Sequence, residues 1–403
     1  MAIVDIVARV PAPDSYAGGD PQATRAPRTP ASAGGRDLRL DLFRGLALLI
    51  ICIDHTHRLW LANYTVGKFM FFDAGEMFVF IAGYTAALVY GRYLESRGAG
   101  FAVARIYRRI GQIYMAQLAL FAALFLFRAG WQLASGGPAL DFAGLAVRAL
   151  TLQGPFSLMY TLPVYMALLA VLPGLLLLLG RAPLVLLALS ATLYVAELVF
   201  RWNPAAVGLV TEWANVLNWQ FLFVIGLLAR RWTAGGPART RLPAWLPWLA
   251  VAAIVLFALA HVGLVRWSVL GEQRIDWLWG KRHLGVLRLA NFLLAAWLIA
   301  ILIGPGSRLP GWRVLAPVRL CGKHSLPIFW LGAVLAGIGS VLLTKLDDSA
   351  AMNVFVAAAA AVALFGAALA LERGLPATLR REIRLRLGAI RPAAIAARAA
   401  GSD

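Results

Sequence analysis

Ten stretches of the chain stay apolar for roughly the length of a bilayer-spanning helix before polar or charged residues interrupt them. They lie near 42–60, 69–91, 110–128, 158–180, 182–200, 215–231, 243–267, 285–304, 320–344 and 350–371. A helix rises ~1.5 Å per residue, so ~20 such residues cross the hydrocarbon core. The pattern predicts an all-α polytopic membrane protein with about ten transmembrane helices. The pair 158–180 and 182–200 is separated only by Gly180–Arg181–Ala182–Pro183. The stretch 141–152 is apolar but short, and reads as an interfacial helix. Residues 1–35 are rich in Ala, Pro, Gly and Ser without a period, as expected of a disordered cytoplasmic tail. Arg9 is followed by Pro11 and Pro13 rather than by an apolar run, which argues against a signal peptide. Residues 373–403 form a second tail with Arg380, Arg381, Arg384, Arg386 and Arg391, leaving 36–372 as the membrane domain.

The loops test this reading independently. Alternate loops carry Arg36/Arg39, then Arg92/Arg97/Arg105/Arg108/Arg109, Arg181, Arg230/Arg231/Arg239/Arg241, Arg308/Arg313 and the basic tail. The loops between them are less basic or carry acids beside their cations, although 268–284 is rich in both. The positive-inside rule then puts both termini in the cytoplasm, in parity with ten spans. Composition agrees, with 61% hydrophobic and 14% charged residues and a mean hydropathy of +0.74. The net charge of +19 would fit nucleic acid, but the basic residues sit in short loops between apolar runs, so topology accounts for them. Two cysteines, Cys52 and Cys321, imply no disulfide framework. No metal site is expected, the oligomeric state is not encoded in any visible pattern, and no internal repeat points to an inverted-repeat transporter.

Ionisable residues within a span cost at least ~2.5–3.5 kcal/mol and usually mark function. The first span opens with Arg36–Asp37–Leu38–Arg39–Leu40–Asp41–Leu42–Phe43–Arg44–Gly45 and ends in Asp54–His55–Thr56–His57–Arg58. Arg44 and His55 are eleven residues apart, three turns plus ~20°, and so share a helix face with ~16 Å of rise between them. The second span begins with Asp73 and Glu76. The short connection 61–68 makes the two helices antiparallel neighbours, so His55, Asp54, Asp73 and Glu76 can meet at one depth. A histidine oriented by Asp54 or Glu76 suits a general base that deprotonates a sugar hydroxyl attacking a thioester. Arg44 suits phosphate or carboxylate recognition. The alternative is an ion-pair network that only ties the helices together.

The run from Arg36 to Ala47 resembles the start of the OpgC family, within the wider membrane acyltransferases that share an Arg, ten residues, then His, here Arg44 and His55. Similar blocks succeed it in order: Phe72 to Tyr84, Leu162–Pro163–Val164–Tyr165, Trp219 to Gly226, Lys281 to Arg288, and Gly322 to Phe329. The family pattern often has an acidic residue shortly before the Leu–Pro pair, where this chain has Tyr160–Thr161. The resemblance implies a ten-helix acyltransferase that moves an acyl group, succinyl by expectation, from cytoplasmic acyl-CoA (succinyl-CoA) to hydroxyls of a periplasmic glucan. Alternatives are an O-acetyltransferase acting on another envelope polysaccharide, or a proton-coupled transporter or flippase.

Several further polar residues are secondary candidates. Gln220 is available for substrate or for a neighbouring helix, and Asp73 for substrate. Lys281, His283 and Arg288 suit an anionic glucan or a succinyl carboxylate, or are ordinary interfacial charge. His324 and Ser325 open the ninth span as cofactor contacts, with N-capping the commoner use of such a serine. Arg105, Arg108 and Arg109 are phosphate-binding candidates, although topology alone accounts for them.

Overall fold

The computed structural model describes residues 37–135, 144, 147, 149–152, 161–201, 214–234, 243–266, 276–304 and 306–374. The N-terminal tail, the C-terminal tail beyond Gly374, most of the predicted 141–152 helix and Tyr160 lie outside them. Among the described residues the chain is all-helical, without a strand. The helices are α1 (Leu38–Asp54), α2 (Ala74–Arg97), α3 (Ala99–Ser135), α4 (Thr161–Arg181), α5 (Pro183–Phe200), α6 (Val216–Ala234), α7 (Leu246–Arg266), α8 (Val286–Leu302), α9 (Ala316–Lys323), α10 (Ser325–Val341) and α11 (Ala350–Arg373). A helix stands at each predicted span, and seven are long and apolar enough to cross a membrane: α2, α3, α4, α5, α7, α10 with the turn after it, and α11. By contrast α1 and α8 are 17 residues each.

The boundaries move for local reasons. Helix α1 stops at Asp54 rather than near residue 60; His55 caps it, Arg58 takes a positive φ of 66°, and short 3₁₀ turns succeed it at Trp60–Tyr64 and Val66–Lys68. Helix α2 starts at Ala74 because Asp73 caps it. The ninth span divides at His324 into α9 and α10.

The interior is mostly apolar, and so is much of the surface. Glu76, Glu197, Asn218 and Asn291 are fully buried, while Leu126, Leu133, Leu256, Leu259 and Val362 are well exposed. Such a surface is stable against lipid tails rather than water. Without a hydrophobic drive between helices, close backbone packing supplies the cohesion. Two crossings achieve it with glycine. A Cβ at Gly83 would land on the Phe223 carbonyl, and one at Gly226 on the Phe80 carbonyl, so α2 and α6 touch backbone to backbone. Likewise Gly45 faces the Val318 carbonyl and Gly322 the Asp41 carbonyl, which draws α9 onto α1.

Gly83→Ala and Gly226→Ala are each expected to lower stability by about 1–3 kcal/mol through overpacking. Gly91→Ala in the same helix, with nothing within 4 Å of its Cβ, should be neutral or slightly stabilising. Thermal unfolding in detergent checks this; equal melting temperatures for all three variants would refute the close-packing account.

Candidate functional site

Helices α1, α2 and α4 share two cavities. The first, of about 620 Å³, is lined by Arg44, Arg92, Arg109 and Arg230, by Tyr84, Tyr90 and Tyr165, and by Ser325 among others. The second, of about 400 Å³, is lined by Asp54, His55, His57, Asp73, Thr161, Trp219 and Lys281 among others. The wall between them is thin. Phe78 lines the arginine cavity and its neighbour Val79 the histidine cavity, while on α4 Tyr165 and Val164 divide in the same way. The Phe78 and Tyr165 rings meet edge to face at 5.8 Å. Arg44, in α1, and His55, the residue that caps its C-terminus, therefore line different cavities.

At the His55 end, the imidazole is held by α1 itself. Its Nδ1 lies 2.8 Å from the Ile51 carbonyl oxygen. A carbonyl only accepts, so Nδ1 carries the hydrogen and Nε2 is left as the basic nitrogen. The expectation that Asp54 or Glu76 would orient His55 is thus corrected: a backbone carbonyl one turn back does so. Asp54 lines the same cavity with Oδ1 buried and without a hydrogen-bond partner.

Glu76 sits in an ion cluster instead. Asp73 caps α2 by accepting the Gly75 N–H on Oδ1 at 2.7 Å, while Glu76 Oε2 accepts the Asp73 N–H at 2.9 Å, a reciprocal capping box. The remaining oxygens face cations. Asp73 Oδ2 receives Lys281 Nζ at 2.7 Å and Arg288 Nη2 at 2.8 Å, and Glu76 Oε1 pairs with Arg288 Nε. All four carboxylate oxygens are engaged. The structure therefore brings Asp73 and Glu76 together with Lys281 and Arg288, a cluster the sequence did not predict, and only Asp73 and Lys281 of these line the histidine cavity.

The other candidates separate. Gln220 ties α6 to α5, accepting from Ser190 Oγ at 2.7 Å and donating to the Ser190 carbonyl at 3.0 Å; it lines neither cavity. His283 Nδ1 meets Glu197 at 3.0 Å, and Asn215 Nδ2 donates to the same carboxylate at 2.6 Å. His283 is a partly buried anchor for the loop that carries Lys281 and lines neither cavity. Arg44 donates to Thr85 Oγ1 at 3.0 Å and lines the arginine cavity, as does Arg109. Arg105 instead lies over the Tyr93 and Phe101 rings, and Arg108 is exposed away from the cavity. At the α9–α10 break His324 occupies the cap position with no side-chain cap bond and pairs with Glu372 at 3.0 Å. Ser325 lies inside the helix and lines the arginine cavity, so the capping reading of this serine is not realised.

Sequence reasoning passed over Glu197, although an acid inside the predicted 182–200 span satisfied the rule that singled out Glu76. It also counted Arg92 and Arg230 only as loop charge. No pattern marked Tyr90 as a cavity residue. A family model described as OpgC protein matches residues 36–374. No curated protein and no solved structure matches the chain.

Removing Arg288 would leave Glu76 buried and uncompensated, so Arg288→Met is expected to cost about 3–5 kcal/mol. Adding Glu76→Gln to that variant should recover part of the loss. Thermal unfolding of the single and double variants tests this; a double variant no more stable than Arg288→Met would contradict the pairing.

Proposed function

The chain belongs to the OpgC family, and on that premise we propose that it is an inner-membrane acyltransferase moving a succinyl group from cytoplasmic succinyl-CoA to a hydroxyl of a periplasmic glucan. Both termini face the cytoplasm in this reading, which places the arginine cavity on the donor side and the histidine cavity on the acceptor side. The observation that carries it is the pair of chemically different cavities, one arginine-rich and one built around His55, back to back on α1, α2 and α4.

The chemistry comes from the side chains. Arg44, Arg92, Arg109 and Arg230 suit the phosphates of coenzyme A, since guanidinium groups bind phosphate oxygens in pairs. The thioester must then reach His55, ~16 Å along α1 from Arg44. Phe78 and Tyr165 line the arginine cavity next to Val79 and Val164 of the histidine cavity, so on this reading the acyl end passes beside them. His55 Nε2 takes the proton of a glucan hydroxyl as its oxygen bonds to the thioester carbonyl carbon. Collapse of the tetrahedral oxyanion breaks the carbon–sulfur bond. The leaving thiolate takes the proton from the imidazolium, and neither substrate crosses the bilayer completely.

Purified protein in detergent, given succinyl-CoA or acetyl-CoA with a periplasmic glucan extract, should release free CoA and raise glucan mass by one succinyl group. His55→Ala should lose about 10²–10⁴-fold in rate. A folded His55→Ala protein as active as wild type would overturn the mechanism. Arg44→Gln should raise KM for the acyl-CoA while leaving that for glucan unchanged; the reverse split would reject the donor-side assignment.

A further inference from the structure

Lys281 is the one permanently cationic side chain among the described residues that line the histidine cavity. Its position is built rather than incidental. The loop from Gly280 to Gly285 is tied to α5, α6 and the residue before α6 at three carbonyls: Trp219 Nε1 donates to the Lys281 carbonyl at 3.2 Å, the Asn215 N–H to that of Arg282 at 2.9 Å, and the Tyr194 hydroxyl to that of Leu284 at 2.8 Å. Leu284 takes a left-handed φ of 47°, and Gly285 packs so tightly on the Leu278 backbone that a Cβ there would overlap it. Beneath the loop, the buried Glu197 holds His283 and Asn215. A loop fastened at this many points fixes where the lysine stem starts. Its side chain remains 36% exposed, in contrast to Arg288 at 12%.

We propose that Lys281 is the residue that recognises the terminal carboxylate of the acyl group, and so selects a dicarboxylic acyl donor over a neutral one. The proposal rests on the acyl-transfer reading above and assigns a part of the same site. An acyl group presented to His55 from the arginine cavity projects its far end into the histidine cavity. In succinyl that end is a carboxylate roughly 4 Å beyond the thioester carbon, three carbon–carbon bonds of ~1.5 Å; in acetyl it is absent. The ion cluster permits the exchange. Asp73 Oδ2 is shared by Lys281 and Arg288, so when Lys281 turns to the acyl carboxylate, Asp73 keeps Arg288 and Glu76 keeps the same guanidinium. No buried carboxylate is left without a cation, and an ammonium with three donors is able to bridge Asp73 and the ligand. The first turn of α2, with Ala74 and Gly75 on the cavity wall, adds the positive end of a helix dipole on the same side.

The test measures kcat/KM of the full-length protein in detergent for succinyl-CoA, its terminal methyl ester and acetyl-CoA, with one glucan extract. Wild type should favour succinyl-CoA over its neutral ester by about ten- to a hundredfold, the usual worth of a hydrogen bond to a charged group. Lys281→Met should lose succinyl transfer by that factor while keeping acetyl and ester transfer, and Lys281→Arg should retain most of the preference. Equal loss for all three donors in a folded Lys281→Met protein would overturn the proposal and assign the lysine to the oxyanion or to the ion cluster. The ester arm needs no variant: wild type using the ester as well as succinyl-CoA would overturn the proposal whether or not Lys281→Met folds. Transfer from acetyl-CoA but not from succinyl-CoA would reject the donor, and the proposal with it, while leaving the acyltransferase reading intact. Transfer from none of the three would reject both.

Discussion

The four-membered ion cluster at the start of α2 is the interaction on which the site depends. Burying two carboxylates costs several kcal/mol each unless every oxygen is engaged. Here each is, by two backbone N–H groups and two cations. That requirement does more than hold charge. It fixes the first residue of α2, sets α8 against it through Arg288, and brings the loop bearing Lys281 to the cavity where His55 lies. Glu76 was a candidate for catalysis as an acid in the second span; its contacts are the Asp73 N–H and the Arg288 guanidinium, beside the groups that line the histidine cavity.

Close backbone contacts act in parallel. Gly83 with Gly226, and Gly45 with Gly322, let α2 meet α6 and α1 meet α9 at distances no other residue permits. In a membrane this is the available source of cohesion, because lipid tails compete with apolar side chains on equal terms. Pulling α1 and α2 toward different partners leaves space along the seam they share with α4. That space is divided by Phe78–Val79 and Val164–Tyr165 into an arginine-lined and a histidine-lined part.

The sequence made much of this legible for residues whose chemistry is out of place in lipid. His55, Arg44, Asp54, Asp73 and Lys281 all stand on a cavity wall, and each was visible as a charge or imidazole in or beside an apolar run. The same rule covered Gln220, His283 and Glu76, which line neither cavity. Out-of-place polarity identifies a group that must be satisfied internally, and a neighbouring helix satisfies it as well as a ligand does. Gln220 spends its amide on Ser190, and His283 spends its ring on Glu197. Which of the two outcomes a residue meets depends on what lies across the helix boundary, and a linear pattern carries no record of that.

The chain alone therefore determined the features that local chemistry sets: a helix at each apolar run, and the family to which the ordered blocks belong. Hydropathy and helical period act over adjacent residues, so they are written in the sequence directly. Only the tertiary structure decided that Ile51 rather than a carboxylate orients His55, that Asp73, Glu76, Lys281 and Arg288 form one cluster, and that Arg109 lines a cavity whereas Arg105 covers a pair of rings. Apart from the His55 bond and the Arg105 ring contacts, those outcomes depend mostly on residues far apart in the chain. They are set by how helices pack, where one glycine or one shared guanidinium changes which side chains face each other.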